Sequence, residues 1–108
     1  MAYNKFGNIK TVVFGIRFDS KAEAHRYIEL RDWQNKGKIA DLELQPVFQL
    51  CGLNGTPVCK YIADFRYYDL AAEKVIVEDV KGHRDAFYSL KAKLFLDNFG
   101  FPILEVKA

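Results

Sequence analysis

Five ionisable side chains fall where the local pattern asks for apolar ones: Glu23, Asp64, Asp79, Lys81 and Lys91. Successive side chains of a strand alternate between its faces. In the run Lys74 to Lys81, Val75, Val77, Asp79 and Lys81 therefore share one face, and Ile76, Glu78 and Val80 share the other. Asp79 and Lys81 project side by side at the end of a valine-lined face, while Glu78 points away. On the preceding extended run, Asp64 shares a face with Ile62 and Arg66. Antiparallel pairing of the two runs can bring Asp64 against Asp79. Two carboxylates in contact repel and need compensation. A hard divalent cation, Mg²⁺ or Mn²⁺, is the usual one. Lys81 beside them can neutralise a phosphate or activate a water. Alone, an Asp-x-Lys triplet reads far more readily as exposed strand-end charges paired with each other, because surface charge is common. The presence of Asp64 on the neighbouring run is what favours a site.

The helices add two further groups. At about 100° per residue, Leu30, Glu23, Tyr27, Ala24 and Ile28 form one stripe, which puts Glu23 on the core-facing side. Ser20-Lys21-Ala22-Glu23 is also a good capping box, with Glu23 bonding back to the Ser20 backbone. Both roles stay open, and they do not exclude each other. In the second helix, Lys91 sits within the apolar stripe Phe87, Leu90, Leu94 and Phe95. It either snorkels to water or reaches a phosphate near the site. His25 lies on the polar side of the first helix. His83 follows Lys81-Gly82 and can touch substrate, but nothing pairs it with a nucleophile. No Ser-His-Asp set, Gly-rich phosphate loop or zinc spacing is visible.

These groups need elements to carry them. Ile9 to Phe18 reads as one or two short strands bent at Gly15. Asp19-Ser20 opens a helix to about Asn35, closed by Gly37. Ile39 to Leu50 is extended and interrupted by Pro46. Pro57 to Tyr68 pairs with it across a tight Asn54-Gly55 turn. Lys74 to Lys81 is a third strand, ended by Gly82. A second helix spans about Arg84 to Asn98 and stops at Gly100. Pro102 to Val106 is a last short strand. Strands joined by turns are expected antiparallel, and the last, returning after a helix, parallel. The fold class expected is α/β (α+β), a mixed sheet flanked by helices.

The chain has 108 residues, half of them apolar, with nine Phe and six Tyr. One domain over residues 1–108 with its own core is the expectation. The polar, Gly-containing start, Met1 to Asn8, is expected to fray. A net charge of +2 permits a nucleic-acid partner without demanding one. No apolar run approaches the roughly 20 residues of a membrane helix. The start lacks the apolar core of a signal peptide, so a cytoplasmic location is expected. Across the tight turn Cys51 would face Val58 and Cys59 would face Leu50. The two thiols then point to opposite faces, which disfavours a disulfide.

The blocks so identified resemble the PD-(D/E)XK nuclease superfamily. The resemblance rests on Asp64 within Ala63-Asp64-Phe65, on Asp79-Val80-Lys81, and on the helix-strand-strand-strand-helix-strand order. It narrows through Phe18-Asp19-Ser20-Lys21-Ala22-Glu23-Ala24, Leu44-Gln45-Pro46, Tyr61-Ile62-Ala63-Asp64-Phe65, Glu78-Asp79-Val80-Lys81-Gly82 and Leu90-Lys91-Ala92-Lys93-Leu94-Phe95. Such blocks are similar to small phage and prophage nucleases, many grouped only as a domain of unknown function, and to endonuclease subunits of some cut-and-paste transposition systems. The likeness runs from about Phe18 to Val106. It departs at Ala63, where the superfamily's first motif has Pro, and at Asp79, an accepted alternative to Glu.

The resemblance implies a restriction-endonuclease-like core. It further implies a Mg²⁺-dependent DNA endonuclease, with Mn²⁺ able to substitute. Asp64, Asp79, the Val80 backbone carbonyl and Glu23 would hold the metal, and Lys81 would position or help deprotonate the attacking water. Lys91 and Gln45 would contact phosphate or support the site. A phage role in recombination, junction resolution or DNA processing would fit. So small a protein has little room for base-reading loops, so structure-selective cutting of branched or duplex DNA is expected over sequence-specific restriction. Such cutting needs two active sites, hence a homodimer. The aromatics Phe6, Phe14 and Trp33, expected at the surface, point the same way. The competing expectation is a nuclease-fold DNA-binding module without catalysis, or a subunit active only within a larger complex.

Overall fold

The computed structural model describes residues 10–82 and 84–108. Strands β1 (Thr11–Val13) and β2 (Ile16–Phe18) form a small antiparallel hairpin. Its turn residues Phe14 and Gly15 both take positive φ, 50° and 77°, as a right-twisted two-residue hairpin requires. Ser20 then caps helix α1 (Lys21–Asn35), its hydroxyl accepting from the Glu23 N–H at 3.1 Å. Strands β3 (Ile39–Leu44), β4 (Val47–Cys51), β5 (Pro57–Ile62), β6 (Phe65–Asp69) and β7 (Lys74–Lys81) follow. Helix α2 (Ala86–Phe99) is capped by Asp85 at its start and by left-handed Gly100 at its end, and β8 (Leu104–Lys107) closes the chain.

The main sheet has the order β3-β6-β7-β8. Its first three strands are antiparallel, and β8 joins β7 in parallel, as expected for a strand that returns after a helix. The structure is mixed α+β, a mixed sheet with helices packed against it. Among the described residues no helix is long and apolar enough to cross a membrane.

The two long extended runs are not continuous strands. The first breaks at Gln45-Pro46 and the second at Ala63-Asp64, so the distal halves, β4 and β5, form a ribbon of their own. Pro46 has no N–H to give a ladder, and Gln45 turns the chain at φ 49°. The breaks bond to each other: Gln45 N–H donates to the Asp64 carbonyl at 3.0 Å and Ala63 N–H to that of Pro46 at 3.1 Å. The hairpin turn is also longer than expected. Gly55 N–H bonds the Gly52 carbonyl, Gly52 N–H bonds that of Thr56, and the register slips between Leu50 and Cys51. Cys59 faces Leu50 as expected, but Cys51 faces Pro57 rather than Val58. Both thiols are free.

Each face of the sheet carries a core. On the α1 side lie Phe18, Ala24, Tyr27, Leu30, Ile39, Phe65 and Tyr67. On the α2 side lie Phe48, Leu50, Tyr61, Ala63, Val77, Tyr88, Phe95 and Ile103. The inward stripes differ in detail from those read from periodicity. Ile28 is exposed while Ala24, Tyr27 and Leu30 are buried. In α2, Phe87 and Leu90 are 80 % and 59 % exposed, whereas Tyr88 and Phe95 are buried. That helix is rotated so that Tyr88 and Phe95, not Phe87 and Leu90, enter the core. Of the aromatics expected at the surface, Phe14 is exposed with Arg31 over its ring, but Trp33 is half-buried beneath the Arg26 guanidinium. Phe6, the segment Met1 to Asn8 and His83 lie outside the described residues.

Candidate active site

Asp64 stands at the point where the chain enters β6, one residue before the β6–β7 ladder begins with Phe65 opposite Glu78. Its N–H donates to the Glu78 carbonyl at 3.1 Å, and its Oδ2 accepts from the Val80 N–H at 2.7 Å. Both bonds lash it to the strand that carries Asp79 and Lys81. Asp79, 3 % exposed, lies on the α2 face of β7 with Val77. Its Oδ2 accepts from the Tyr61 hydroxyl and lies 3.8 Å from Lys81 Nζ.

The two carboxyl groups meet. Burial, then the Asp79 charge, then that of Glu23 hold Asp64 far above the usual carboxylate range, against a lowering by the Val80 N–H. Raised so far, the Asp64 carboxyl keeps its proton at neutral pH rather than adding a second charge beside Asp79. Glu23, half-buried, is raised by its own burial and then by Asp19 and Asp79; Lys81 and the Ser20 hydroxyl pull it down. It therefore feels the Asp79 charge, while the cap of α1 is made by the Ser20 hydroxyl accepting from the Glu23 N–H, with no return bond from the Ser20 N–H to the Glu23 carboxylate among the described residues. The Tyr61 hydroxyl is held strongly in its neutral form by burial and by its bond to Asp79.

Two cavities flank this cluster. One, of about 110 Å³, is lined by Glu23, Gln45, Asp64, Arg17, Phe18 and Leu44, with neighbours on β2 and β6. The other, of about 350 Å³, is lined by Asp79, Lys81, Tyr61, Tyr88, Lys91 and Lys60 among others. Lys81 Nζ sits 4.2 Å from the centre of the Tyr88 ring. The Tyr88 hydroxyl is buried without a hydrogen-bond partner among the described residues. Thus Asp64, Asp79, Lys81 and Glu23 are brought together, Gln45 borders the acidic side and Lys91 the basic side. Val80 touches the site through its N–H, which donates to Asp64 Oδ2.

The family model described as "Protein of unknown function (DUF1064)" matches residues 3–106. The chain belongs to that family. No curated protein and no solved structure matches it. In this DUF1064 chain no group of three or more His, Cys, Asp or Glu side chains is arranged to hold a metal among the described residues. A pair of carboxylates nonetheless suits Mg²⁺, which keeps several waters and binds proteins through one or two carboxylates. The contacts of Asp64 and Asp79 to protein donors fall on Oδ2 of each. A cation between the two would also relieve the repulsion that raises Asp64.

Periodicity missed a second buried acid. Glu78 points away from Asp79 as expected, but to a fully buried place, not to water. Arg26 forms two bonds with its carboxylate, Nε to Oε1 at 2.8 Å and Nη2 to Oε2 at 2.7 Å, and the Tyr67 hydroxyl donates to Oε2. The available signal was Glu78 itself. A carboxylate between Ile76 and Val80 on an inward face requires a cation, and Arg26 lies one turn beyond Glu23 on α1. The contributions of Tyr61 and Tyr88 had no signal in the local pattern.

Proposed function

We propose that this protein is a Mg²⁺-dependent DNA endonuclease with a restriction-endonuclease-like core of the PD-(D/E)XK type. The observation that carries the proposal is the contact of half-buried Asp64 with the strand bearing buried Asp79, with Lys81 3.8 Å from Asp79. Perturbed carboxyl groups in a cleft beside a cation cluster at functional sites and suit metal-assisted hydrolysis. The core order β3-β6-β7-β8 with α1 and α2 on its faces supports the superfamily assignment.

Asp64 and Asp79 would hold the metal, with Glu23 adding charge from α1. The bound ion would supply Lewis-acid stabilisation of the phosphoryl oxygens and a more acidic water. Tyr61 keeps Asp79 oriented by donating to Oδ2, and the Val80 N–H does the same for Asp64. Lys81, held between Asp79 and the Tyr88 ring, directs its ammonium where negative charge develops on the phosphate. Lys60 and Lys91 border the same cavity and would attract the backbone of the substrate. Cutting branched or duplex DNA on both strands would take a homodimer.

The test is incubation of the pure protein with linear and branched DNA, with Mn²⁺, with Mg²⁺ and with EDTA, beside Asp79→Asn. Metal-dependent cleavage lost in the variant is expected. Tight DNA binding without cleavage in either metal would replace the enzyme with a nuclease-fold binding module.

A further inference from the structure

The element that carries Glu23 is tied to the strand that carries Asp79 by a contact made on the other side of that strand. Arg26 follows Glu23 by three residues on α1, and Glu78 precedes Asp79 on β7. The two guanidinium–carboxylate bonds, 2.8 and 2.7 Å, join residues 52 apart in sequence. Every side of this contact is held. The Tyr67 hydroxyl donates to Glu78, the Trp33 ring lies 4.8 Å from the Arg26 guanidinium carbon, and Glu29 is 3.6 Å from Arg26 Nη1. Glu78 is fully buried and the Arg26 side chain only 13 % exposed.

A buried ion pair is a poor way to gain stability, because desolvating both charges offsets most of their attraction. What it supplies is direction. A bidentate guanidinium–carboxylate pair fixes distance and orientation at once, whereas an aliphatic contact would let α1 slide along the sheet. The direction fixed here is that of α1 against β7 within one turn of Glu23, and Glu23 already feels the charges of Asp79 and Lys81.

We propose that the Arg26–Glu78 pair, braced by Tyr67, is a positioning device that sets Glu23 against the Asp64–Asp79 carboxylates and so tunes the affinity of the site for a divalent cation. This rests on the metal-binding reading above. Glu78, Arg26 and Tyr67 are positioning residues, since none of them touches the metal or the substrate.

The test is a double-mutant cycle read by Mn²⁺ binding, using calorimetry or the electron-spin resonance of free Mn²⁺, with no DNA present. Glu78→Gln is expected to raise the half-saturating Mn²⁺ about tenfold. In a Glu23→Gln background the same change is expected to shift it less than about twofold, because the ligand it positions is gone. A general loosening of the fold would move both backgrounds alike. Arg26→Lys keeps the charge but not the fork, and Tyr67→Phe removes one bond and no charge. If Glu78→Gln does not fold, these two carry the same cycle, with shifts of about three- to fivefold expected. Equal shifts with and without Glu23, in a wild type that binds Mn²⁺, overturn the brace and leave the metal site standing. A wild type that binds no Mn²⁺ overturns the metal site and the brace with it.

Discussion

Replacing Asp64 with asparagine removes one of two carboxylates that the fold forces together, and the consequence for stability has the opposite sign to the consequence for activity. Burial and Asp79 raise the Asp64 carboxyl well above its ordinary range in the folded protein. In the unfolded chain it titrates near 4. The folded state therefore binds the proton that the unfolded state has released, and stability falls as pH rises from that ordinary range toward the raised one. Each unit of that window costs about 1.4 kcal/mol. Residual hydration of the half-buried carboxyl reduces that cost, so about 2 kcal/mol is the magnitude taken at pH 7.5. Asparagine carries no charge and its carbonyl can still accept from the Val80 N–H, which preserves the bond seen at 2.7 Å. For a domain of this length about 2 kcal/mol corresponds to a rise in Tm of roughly 10 °C. Calorimetry in EDTA at pH 7.5 should show the variant melting higher than the wild type, with the difference closing as pH falls below about 4. Saturating Mn²⁺ should reverse the order, because ligand stabilises only the protein that binds it. Cleavage by the variant should be absent throughout. A variant that melts lower than the wild type in EDTA at pH 7.5 would refute the view that Asp64 and Asp79 strain each other.

Lys81→Met should lower the cleavage rate by about 100-fold or more while changing DNA affinity, measured in Ca²⁺, less than about threefold, since the ammonium acts on charge that develops in the transition state. Equal losses in rate and affinity would make Lys81 a plain phosphate contact. Tyr61→Phe deletes the donor to the buried Asp79 carboxylate. Loss of a hydrogen bond to a charged group costs about 1.5–3 kcal/mol, so metal-free Tm should fall. Mn²⁺ should recover part of that loss by taking over the exposed oxygen, and an unchanged Tm would show that Asp79 does not depend on this donor.

The local signals in this chain were strong enough to place its elements. Ser20 and Gly100 mark helix ends through backbone hydrogen bonds made within a few residues, and both cap as their types dictate. The alternation in β7 alone separates Asp79 and Lys81 from Glu78, because a pleated strand leaves a side chain only two directions. The parallel return of β8 after α2 follows from connection length.

What needed the tertiary structure is everything set by partners distant in sequence. Periodicity could not say that the second long run breaks at Ala63-Asp64, because that break exists to meet the one at Gln45-Pro46. It could not give the rotation of α2, where both Phe87 and Tyr88 are large and apolar enough to face inward. The surface they pack against put Tyr88 inside, with Lys81 against its ring. Nor could it tell an outward Glu78 from a buried one. The alternation sends Glu78 away from Asp79, but whether water or Arg26 waits there depends on how α1 lies across the sheet. The sequence by itself determined which residues share a face. The tertiary structure decided which faces meet, because burial and pairing energies belong to contacts between elements and not to any one of them.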